Sequence, residues 1–543
     1  MKPRILVIGL DAATMALVKP WAGLGYLPAL ERLMGEGSQS TLRSTPNMHS
    51  ASAWTSILTG LNPGRHGLFV FSDRDFATGR QLFFKGGDRT GQLITSHLAR
   101  HGWTSGLLNV PMTYPAECSD GGFAISGLDA PSLNESAFCP KELRTELLGR
   151  FPSYNFTPNG LGDLMSAGRV DEAAAAWLKL TETQVAAAEY LLESHPVDFF
   201  MTVFTASDWA GHNLWSELES SDLPASEASG NSLLAVYRRL DEAITRLLAH
   251  GDERTQVYVI SDHGMGPHTQ ASYHLAAWLE EKGLMVRKGG ADRRATVIAG
   301  GRRAARSLLP LALREKIKAG VGAERMQKIQ AIEKDSFYSS IDWSRSVAYA
   351  EPGRHVINIH LEGRNIAGIV PSTDYDSVCS RISEELSAWN DPRGVPAVAS
   401  VVRRDEAYSG PFVERASDLY VQWNPAARFG DPPAEVQARG FWWRGDHRSE
   451  GILICKGPGI RNAAPLNAPI VYDLVPTVMY LAGVPVPADL DGRVMEEMCE
   501  DEFRAAHPLR RDSEEAAVKT DDAGLSDAEE QLVEEKLRSL GYL

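Results

Sequence analysis

Short apolar runs recur along the chain, and each one ends in polar or glycine-rich sequence. The first, Ile5–Leu10, is continuously apolar and rich in β-branched residues, as is typical of a buried parallel strand. Between Pro20 and Gly35, leucines recur at helical spacing, which predicts a helix closed by Gly35. A strand, a loop and a helix in this order open an α/β sheet. Four further runs predict strands of the same sheet, at 105–110, 199–205, 256–260 and 451–455.

Two stretches do not follow this strand and helix pattern, and we expect them to be insertions that form a cap over a core. The predicted core comprises 1–114, 196–269 and 401–510, and the predicted cap insertions are 115–195 and 270–400. The first insertion contains a long helical pattern over 170–193. Residues 511–543 read as an acidic linker followed by a helix from Ser526 to Leu540 that begins with a capping box. The narrow apolar stripe of this helix either mediates homo-oligomerisation or docks on the body.

Composition narrows the class of protein. Of 543 residues, 43% are hydrophobic and 23% are charged, which is ordinary for a globular protein. The net charge of −15 argues against a nucleic-acid polymer as partner. One section, Arg287 to Lys318, is basic, with ten Lys or Arg against two acidic residues. It either attracts an anionic substrate or forms a solvated helix face.

The cysteines and the apolar segments bear on location. Five cysteines are scattered without a C-x-x-C pair, which predicts reduced thiols in a cytoplasmic protein. The N-terminal apolar run is too short for a signal peptide, and no run reaches the roughly 18–20 residues of a membrane span. We therefore expect a cytoplasmic protein without a membrane partner.

Carboxylates and imidazoles lie just past the predicted strands, where open α/β sheets bind their ligands. Singly, each is as consistent with a helix cap, a turn or a core residue as with a ligand. Asp208 and His212 are spaced to share a helix face, and Gly264 permits the chain to bend after Asp262 and His263. Carboxylates and imidazoles without thiolates suit Zn²⁺ or Mn²⁺, and two such ions form a clamp for in-line displacement at phosphorus. The carboxylates and imidazoles past the predicted strands are Asp11, Asp208, His212, Asp262, His263, Asp446 and His447, and the segment Pro46-Asn-Met-His49-Ser50-Ala-Ser52-Ala-Trp54 supplies hydroxyls.

These segments resemble the alkaline phosphatase superfamily, and most closely its type I phosphodiesterase/nucleotide pyrophosphatase branch. The likeness is carried by Val7-Ile-Gly-Leu-Asp11, by 50–67 and by the ligand segments Ser261-Asp-His-Gly-Met-Gly266 and Gly445-Asp-His-Arg448. Further matching segments are 109–115, 125–127, 472–477, 491–492 and 537–543. The resemblance implies an α/β fold, a three-layer sandwich with a mainly parallel central sheet and inserted cap regions.

The resemblance also implies a site. It assigns one divalent ion, Zn²⁺ or alternatively Mn²⁺, to Asp11, Ser50, Asp262 and His263, and a second ion to Asp208, His212 and His447. Ser50, where relatives have Thr, would attack phosphorus and form a phosphoserine that water hydrolyses. The implied activity is that of a phosphodiesterase or nucleotide pyrophosphatase acting on a nucleotide or another small phosphodiester. The alternatives are a phosphomutase or phosphotransferase at the same site, and a non-catalytic metal-stabilised binding protein. The segment Ser50-Ala-Ser-Ala-Trp54 lacks the Pro and Arg of the sulfatase motif C/S-x-P-x-R, which argues against a sulfatase.

Some positions depart from the branch or stay open. Phe71 stands where nucleotide pyrophosphatases bind a phosphoryl oxygen through Asn, so either another donor replaces it or the substrate differs. His49 is an acid, a phosphate donor, or a neutral neighbour that points away. Ser52, Thr55 and Ser56 rival Ser50 as nucleophile, although Thr55 and Ser56 are predicted to lie inside the helix whose N–H groups would hold phosphate. Four tryptophans either stack on a base or sugar or pack in the core: Trp209, Trp215, Trp442 and Trp443.

Overall fold

The computed structural model describes residues 2–216, 232–288, 337–433, 436, 443–512 and 524–542. Its strands are β1 Ile5–Leu10, β2 Ser38–Arg43, β3 Ser72–Arg74, β4 Gln81–Phe83, β5 Ser105–Val110, β6 Phe123–Ser126, β7 Phe138–Cys139, β8 Phe199–Phe204, β9 Gln256–Ile260, β10 Gly264–Pro267, β11 Ala348–Tyr349, β12 Val356–Ile359, β13 Val398–Arg403, β14 Leu419–Trp423, β15 Gly445–Arg448, β16 Glu450–Lys456, β17 Val486–Pro487 and β18 Arg511–Asp512. Its α-helices are α1 Met15–Gly23, α2 Pro28–Glu36, α3 Ser50–Thr59, α4 Pro63–His66, α5 Ile94–Ala99, α6 Leu143–Arg150, α7 Leu161–Ser166, α8 Val170–Ser194, α9 Ala206–Leu214, α10 Ser232–Leu248, α11 Ala271–Glu281, α12 Tyr375–Ser387, α13 Arg404–Ala407, α14 Leu474–Leu481, α15 Asp501–Ala506 and α16 Asp527–Leu540.

The central sheet has eight strands in the order β2-β16-β9-β1-β8-β5-β6-β7. The five middle strands, β9 to β6 in this order, are parallel, and β2, β16 and β7 pair antiparallel at the edges. All five strands predicted from apolar runs belong to this sheet, although β16 runs antiparallel to β9. The sequence analysis missed β2 because its residues, Ser-Gln-Ser-Thr-Leu-Arg, form no apolar run.

Helices cover both faces of the sheet. Along β1, Leu6, Ile8 and Leu10 pack with α1, α2, α8, α10 and α16, whereas Ile5 and Val7 face α3, α5 and α14 on the other side. Because both faces are buried, every residue of β1 is apolar or glycine. The predicted three-layer sandwich with a mainly parallel central sheet is confirmed.

A second, four-stranded antiparallel sheet, β11-β12-β14-β13, has its own hydrophobic cluster with α11 and α12. Residues of the first predicted insertion, 123–139, extend the central sheet through β6 and β7. The predicted domain boundaries stay predictions. Most of the basic section, from residue 289 onward, lies outside the described residues.

Two expectations were wrong. The helix predicted between Pro20 and Gly35 is two helices, because the chain turns at Gly25, whose φ of +77° favours glycine, and restarts with Pro28 in the first turn of α2. The cysteines are not all reduced: Cys118 and Cys139 form a disulfide with Cα atoms 5.8 Å apart. The sequence did not reveal this pair because the pairing of β6 with β7 brings together residues 21 positions apart.

The C-terminal helix α16 docks on the body. Val533, Leu537 and Leu540 are buried in the same cluster as β1, and Ser526 caps the helix in the predicted capping box. The apolar stripe is therefore used within the chain, and a homo-oligomer stays a prediction. In the described ranges, no helix combines the length and apolar character needed to cross a membrane.

Candidate active site

Three buried carboxylates meet where the middle strands of the sheet end. Strands β9, β1 and β8 are neighbours and run parallel, so the residues that follow them share one edge of the sheet. Asp262 follows β9, Asp11 follows β1, and Asp208 lies in the first turn of α9, just after β8. All three are at most 5% exposed. The order of the strands thus gathers residues that are up to 251 positions apart.

Three imidazoles lie beside these carboxylates. His212 is one turn after Asp208 on α9, with its Nε2 3.4 Å from Asp208 Oδ1. His447 lies on β15, opposite Met265 of β10, and its Nε2 is 3.2 Å from Asp208 Oδ1. His263 Nε2 lies 3.2 Å from Asp262 Oδ2 and 3.8 Å from Asp11 Oδ1.

Of the candidate nucleophiles in the segment 50–56, Ser50 is the one whose hydroxyl faces this cluster. It begins α3, is fully buried, and places Oγ 3.1 Å from His263 Nε2. Two rival hydroxyls, Thr55 and Ser56, lie inside α3 as predicted, and each has a partner there: Thr55 donates to Ala51 O and Ser56 pairs with His66.

Ser52, the third rival, is also engaged away from the cluster. Its Oγ donates to Asn47 Oδ1 and lies 2.9 Å from Thr45 Oγ1. The structure therefore brings together all seven residues that the family resemblance assigns to the ions, and Ser50 is the one of the four candidate nucleophiles that lies among them.

Trp54 of α3 positions Asp11. Its indole Nε1–H donates to Asp11 Oδ2 at 3.2 Å. The indole packs directly on Gly9 of β1, where a Cβ atom would lie 2.5 Å from the ring. Gly9 is thus required for the close approach of helix and strand that makes this hydrogen bond.

The unpaired atoms of the cluster fit divalent cations. Asp11 Oδ1 and Asp262 Oδ2 are buried, and neither has a hydrogen-bond partner among the described residues. Two groups of ligand atoms lie within 4.8 Å of one another: Asp208 with His263 and His447, and Asp11 with Asp262 and His263. Buried carboxylate oxygens are normally paired, so an unpaired set that converges with imidazole nitrogens indicates a cation site.

The histidine tautomers support the same conclusion. The Nδ1 atoms of His212, His263 and His447 each face a backbone carbonyl, at 3.0, 3.2 and 2.7 Å. A carbonyl only accepts, so each Nδ1 carries the hydrogen and each Nε2 turns a lone pair toward the carboxylates. Such outer hydrogen bonds are how metal-ligating imidazoles are oriented.

Burial and charge shift the pKa values of the cluster in opposite directions. Burial, reinforced by the charges of Asp262 and Asp208, raises the pKa of Asp11 well above its usual value. Burial also raises the pKa of Asp262, to about 7. Burial lowers the pKa of His263 well below its usual value, which keeps it neutral.

His49 and Phe71, the two candidate substrate contacts, lie beside Ser50. The His49 Nδ1 accepts the Ala51 N–H at 3.2 Å and thereby caps α3. Burial first, and then the charge of Arg354, lowers the pKa of His49 well below its usual value. Phe71 is 2% exposed and packs edge-on against His49 with ring centroids 5.1 Å apart. Its ring offers no hydrogen bond to a substrate.

Three of the four tryptophans that could stack on a substrate lie within the described residues. Trp209 and Trp215 are buried in the core. Trp443 stacks on His212 with centroids 3.8 Å apart and is only half-buried. Trp442 lies outside the described residues.

Tyr542 is the site residue that the sequence analysis missed. Its hydroxyl donates to Asp208 Oδ2 at 3.1 Å and lies 3.5 Å from Ser50 Oγ. The only signal in the sequence was its place in the segment 537–543, one of those that carry the family resemblance. Nothing in that segment indicates that it reaches a site built from residues 11 to 447.

Solved structures with a similar fold include two enzymes that act on phosphorus compounds. Phosphonoacetate hydrolase from Sinorhizobium meliloti 1021, in complex with phosphonoformate, is 15% identical with a TM-score of 0.51, over 87% of this chain and 94% of that chain. A mutant of the alkaline phosphatase PafA is 13% identical with a TM-score of 0.50, over 92% of this chain and 99% of that chain. At these identities the likeness shows the fold alone, which this chain shares with both enzymes.

Sequence comparison gives the family. No curated protein matches the sequence significantly. The profile of the family described as Type I phosphodiesterase / nucleotide pyrophosphatase matches residues 5–447, a span that contains six of the seven candidate ligands and ends on the seventh, His447. The chain is therefore an enzyme and belongs to the type I phosphodiesterase/nucleotide pyrophosphatase family.

Proposed function

We propose that this enzyme hydrolyses a small phosphodiester by attack of Ser50 Oγ on phosphorus, with two divalent metal ions bound in the site. One observation carries the proposal: Ser50 Oγ lies 3.1 Å from His263 Nε2, at the edge of a buried cluster with two unpaired carboxylate oxygens. A hydroxyl nucleophile needs activation, and cations held by these ligands are a known means of it.

The residues divide between two ions as the family resemblance implies. Asp11, Ser50, Asp262 and His263 would hold one, and the other would be held by Asp208, His212 and His447. When bound, the ions supply Lewis-acid stabilisation of the attacking and leaving oxygens. The ligand set, all carboxylate, hydroxyl and imidazole, suits Zn²⁺, with Mn²⁺ as the alternative.

The chain itself supplies position and burial. α3 presents Ser50 from its first turn and holds its Oγ 3.1 Å from His263 Nε2, so that both atoms would face the same ion. Attack forms a bond from Oγ to phosphorus as the bond to the leaving alkoxide breaks, which gives a phosphoserine. Water then attacks the same phosphorus and releases Ser50. Two in-line displacements predict retention of configuration at phosphorus.

We infer a small phosphodiester, such as a nucleotide derivative, as substrate because the family is described by phosphodiesterase and nucleotide pyrophosphatase activities. A cytoplasmic location stays a prediction, and it loses the support of the cysteines because Cys118 and Cys139 are bonded.

A panel of three chromogenic esters tests the proposal. The zinc-loaded enzyme should hydrolyse bis-p-nitrophenyl phosphate with a higher kcat/KM than p-nitrophenyl phosphate or p-nitrophenyl sulfate. Preference for the monoester or the sulfate would contradict the diesterase assignment. Transfer of the phosphoryl group to an added alcohol in place of water would indicate the alternative, a phosphotransferase.

A further inference from the structure

The hydroxyl of Tyr542 is the hydrogen-bond donor next to Ser50. Within the described ranges, two polar side-chain atoms lie within 3.5 Å of Ser50 Oγ: His263 Nε2 and the Tyr542 hydroxyl. His263 Nε2 is an acceptor because its Nδ1 faces the carbonyl of Gly264 at 3.2 Å. Tyr542 is thus the one of the two that carries a hydrogen. In this structure it donates that hydrogen to Asp208 Oδ2, and rotation of the hydroxyl can direct it to an anionic group beside Ser50 instead.

The phosphoryl group that is transferred to Ser50 needs a hydrogen-bond donor of this kind. Its non-bridging oxygens carry negative charge, which is stabilised by hydrogen bonds fixed in advance. Phe71, on the same side of Ser50, has no polar atom. The Tyr542 hydroxyl, between Ser50 Oγ and Asp208 Oδ2, is placed to fill this role.

Aromatic neighbours fix the direction of the Tyr542 ring. Phe71 and Trp443 contact it edge-on, with centroids at 5.3 and 5.9 Å, and His49 lies at 5.7 Å. These contacts hold the ring and leave the hydroxyl as the polar tip that reaches the cluster. Because a phenylalanine would pack equally well here, the hydroxyl is the part of the side chain that packing does not explain.

The end of the C-terminal helix α16 and its contacts with the rest of the chain position Tyr542. Gly541 ends α16 with φ of +91°, and the Tyr542 N–H donates back to Leu537 O at 2.9 Å, which turns the chain toward the site. At the other end of α16, Glu529 accepts from the Tyr114 hydroxyl at 3.0 Å. Lys536, also on α16, donates to the carbonyl of Ala130. Both hydrogen bonds hold the helix against the loops around Tyr114 and Ala130.

We propose that Tyr542 is a substrate-contacting residue whose hydroxyl turns its hydrogen from Asp208 Oδ2 to a non-bridging oxygen of the phosphoryl group that Ser50 attacks, so that the C-terminal helix completes the active site. The inference rests on the proposed function. It replaces the donor that Phe71 does not supply with one from the opposite end of the sequence. It also explains why α16 docks within the chain at this edge of the sheet.

Tyr542→Phe in the full-length, zinc-loaded enzyme tests this directly, since it removes the hydroxyl and keeps the ring. A lost hydrogen bond to a charged group is expected to lower kcat/KM for bis-p-nitrophenyl phosphate roughly 10- to 100-fold, mostly through kcat. The inhibition constant for vanadate, which resembles the transition state, should rise by a similar factor. Zinc content and Tm should equal those of the wild type. The control is Tyr190→Phe, which removes a hydroxyl bonded to Glu146 on the outer surface, and it should behave as wild type.

The contrary outcomes are distinct. Unchanged kcat/KM and vanadate inhibition in Tyr542→Phe would overturn the inference. A rise in kcat/KM would also overturn it and would show that Tyr542 inhibits the enzyme. Loss of zinc in this variant would mean that the hydroxyl positions Asp208 rather than the substrate. A wild-type enzyme that turns over none of the three esters would refute the proposed function and this inference together, whereas an active wild type with an equally active variant refutes this inference alone.

Discussion

His212 and His447 bring their Nε2 atoms to 2.8 Å from each other, although 235 residues separate them in the chain. Both rings bond a backbone carbonyl through Nδ1, so both Nε2 atoms present lone pairs. Asp208 Oδ1 lies 3.2 Å from one and 3.4 Å from the other. Three electron-rich atoms at this spacing are stabilised by a shared cation.

Removal of metal should therefore cost both stability and activity. We expect dialysis against a chelator to lower the Tm and abolish ester hydrolysis, and Zn²⁺ or Mn²⁺ to restore both, because binding to the folded state alone stabilises it. Differential scanning calorimetry with parallel turnover assays measures this. Full activity and an unchanged Tm in a sample shown to be free of metal would contradict the proposed dependence on metal ions.

Ser50→Ala should separate metal binding from chemistry. The variant keeps six of the seven candidate ligands, so we expect it to retain most of its bound zinc. Without the nucleophile, kcat should fall by roughly 1000-fold or more. The matched control is Ser52→Ala, two residues along α3, whose hydroxyl bonds Asn47 instead. Near wild-type turnover in Ser50→Ala would place the nucleophile elsewhere.

Trp54→Phe tests the outer hydrogen bond to Asp11. The substitution keeps a ring against Gly9 but removes the Nε1–H that donates to Asp11 Oδ2. Outer-shell partners of this kind affect metal affinity by roughly 10- to 100-fold, so zinc should bind about 10-fold more weakly. Competition with a chromophoric chelator gives the affinity. An unchanged zinc affinity would show that the indole only fills space.

His66 should make stability depend on pH. Burial lowers the pKa of His66 from its usual 6.5 to about 3, while its Nδ1 accepts the Leu68 N–H and its ring pairs with Ser56. Between these values the unfolded chain binds a proton that the folded protein refuses. This stabilising contribution is therefore complete above about pH 6.5 and is lost as the pH falls, by at most about 1.4 kcal/mol per pH unit.

Urea unfolding at pH 7, 6 and 5 measures this dependence. Because other buried groups also titrate, the comparison is with His66→Gln, whose free energy of unfolding should fall less steeply over the same range. Parallel slopes for wild type and variant would show that His66 is not held neutral by the fold.

The sequence predicts the core of this molecule well because parallel strands buried on both faces must be apolar throughout. The runs at Ile5–Leu10 and Phe199–Phe204 are of this kind. It also predicts that Asp11, Asp208 and Asp262 meet at one edge of the sheet, because each of them follows such a strand. The pairing of Cys118 with Cys139 escaped prediction because it depends on how an edge strand folds back, which no local pattern encodes.

Tyr542 escaped prediction for a related reason. The apolar stripe of α16 indicates that the helix has a partner surface, but either a second chain or the body satisfies that pattern. Only the three-dimensional placement of Val533 and Leu537 in the main cluster shows where the helix ends, and hence that the next tyrosine reaches Ser50.

The central claim is that side chains from across the sequence hold a pair of divalent ions beside Ser50. The most direct test is an anomalous difference map from crystals of the zinc-loaded wild-type enzyme, recorded at the zinc edge. The account predicts two peaks, one among Asp11, Asp262 and His263 and one among Asp208, His212 and His447. A map without a peak in this cluster, or with a single fully occupied one, would contradict it.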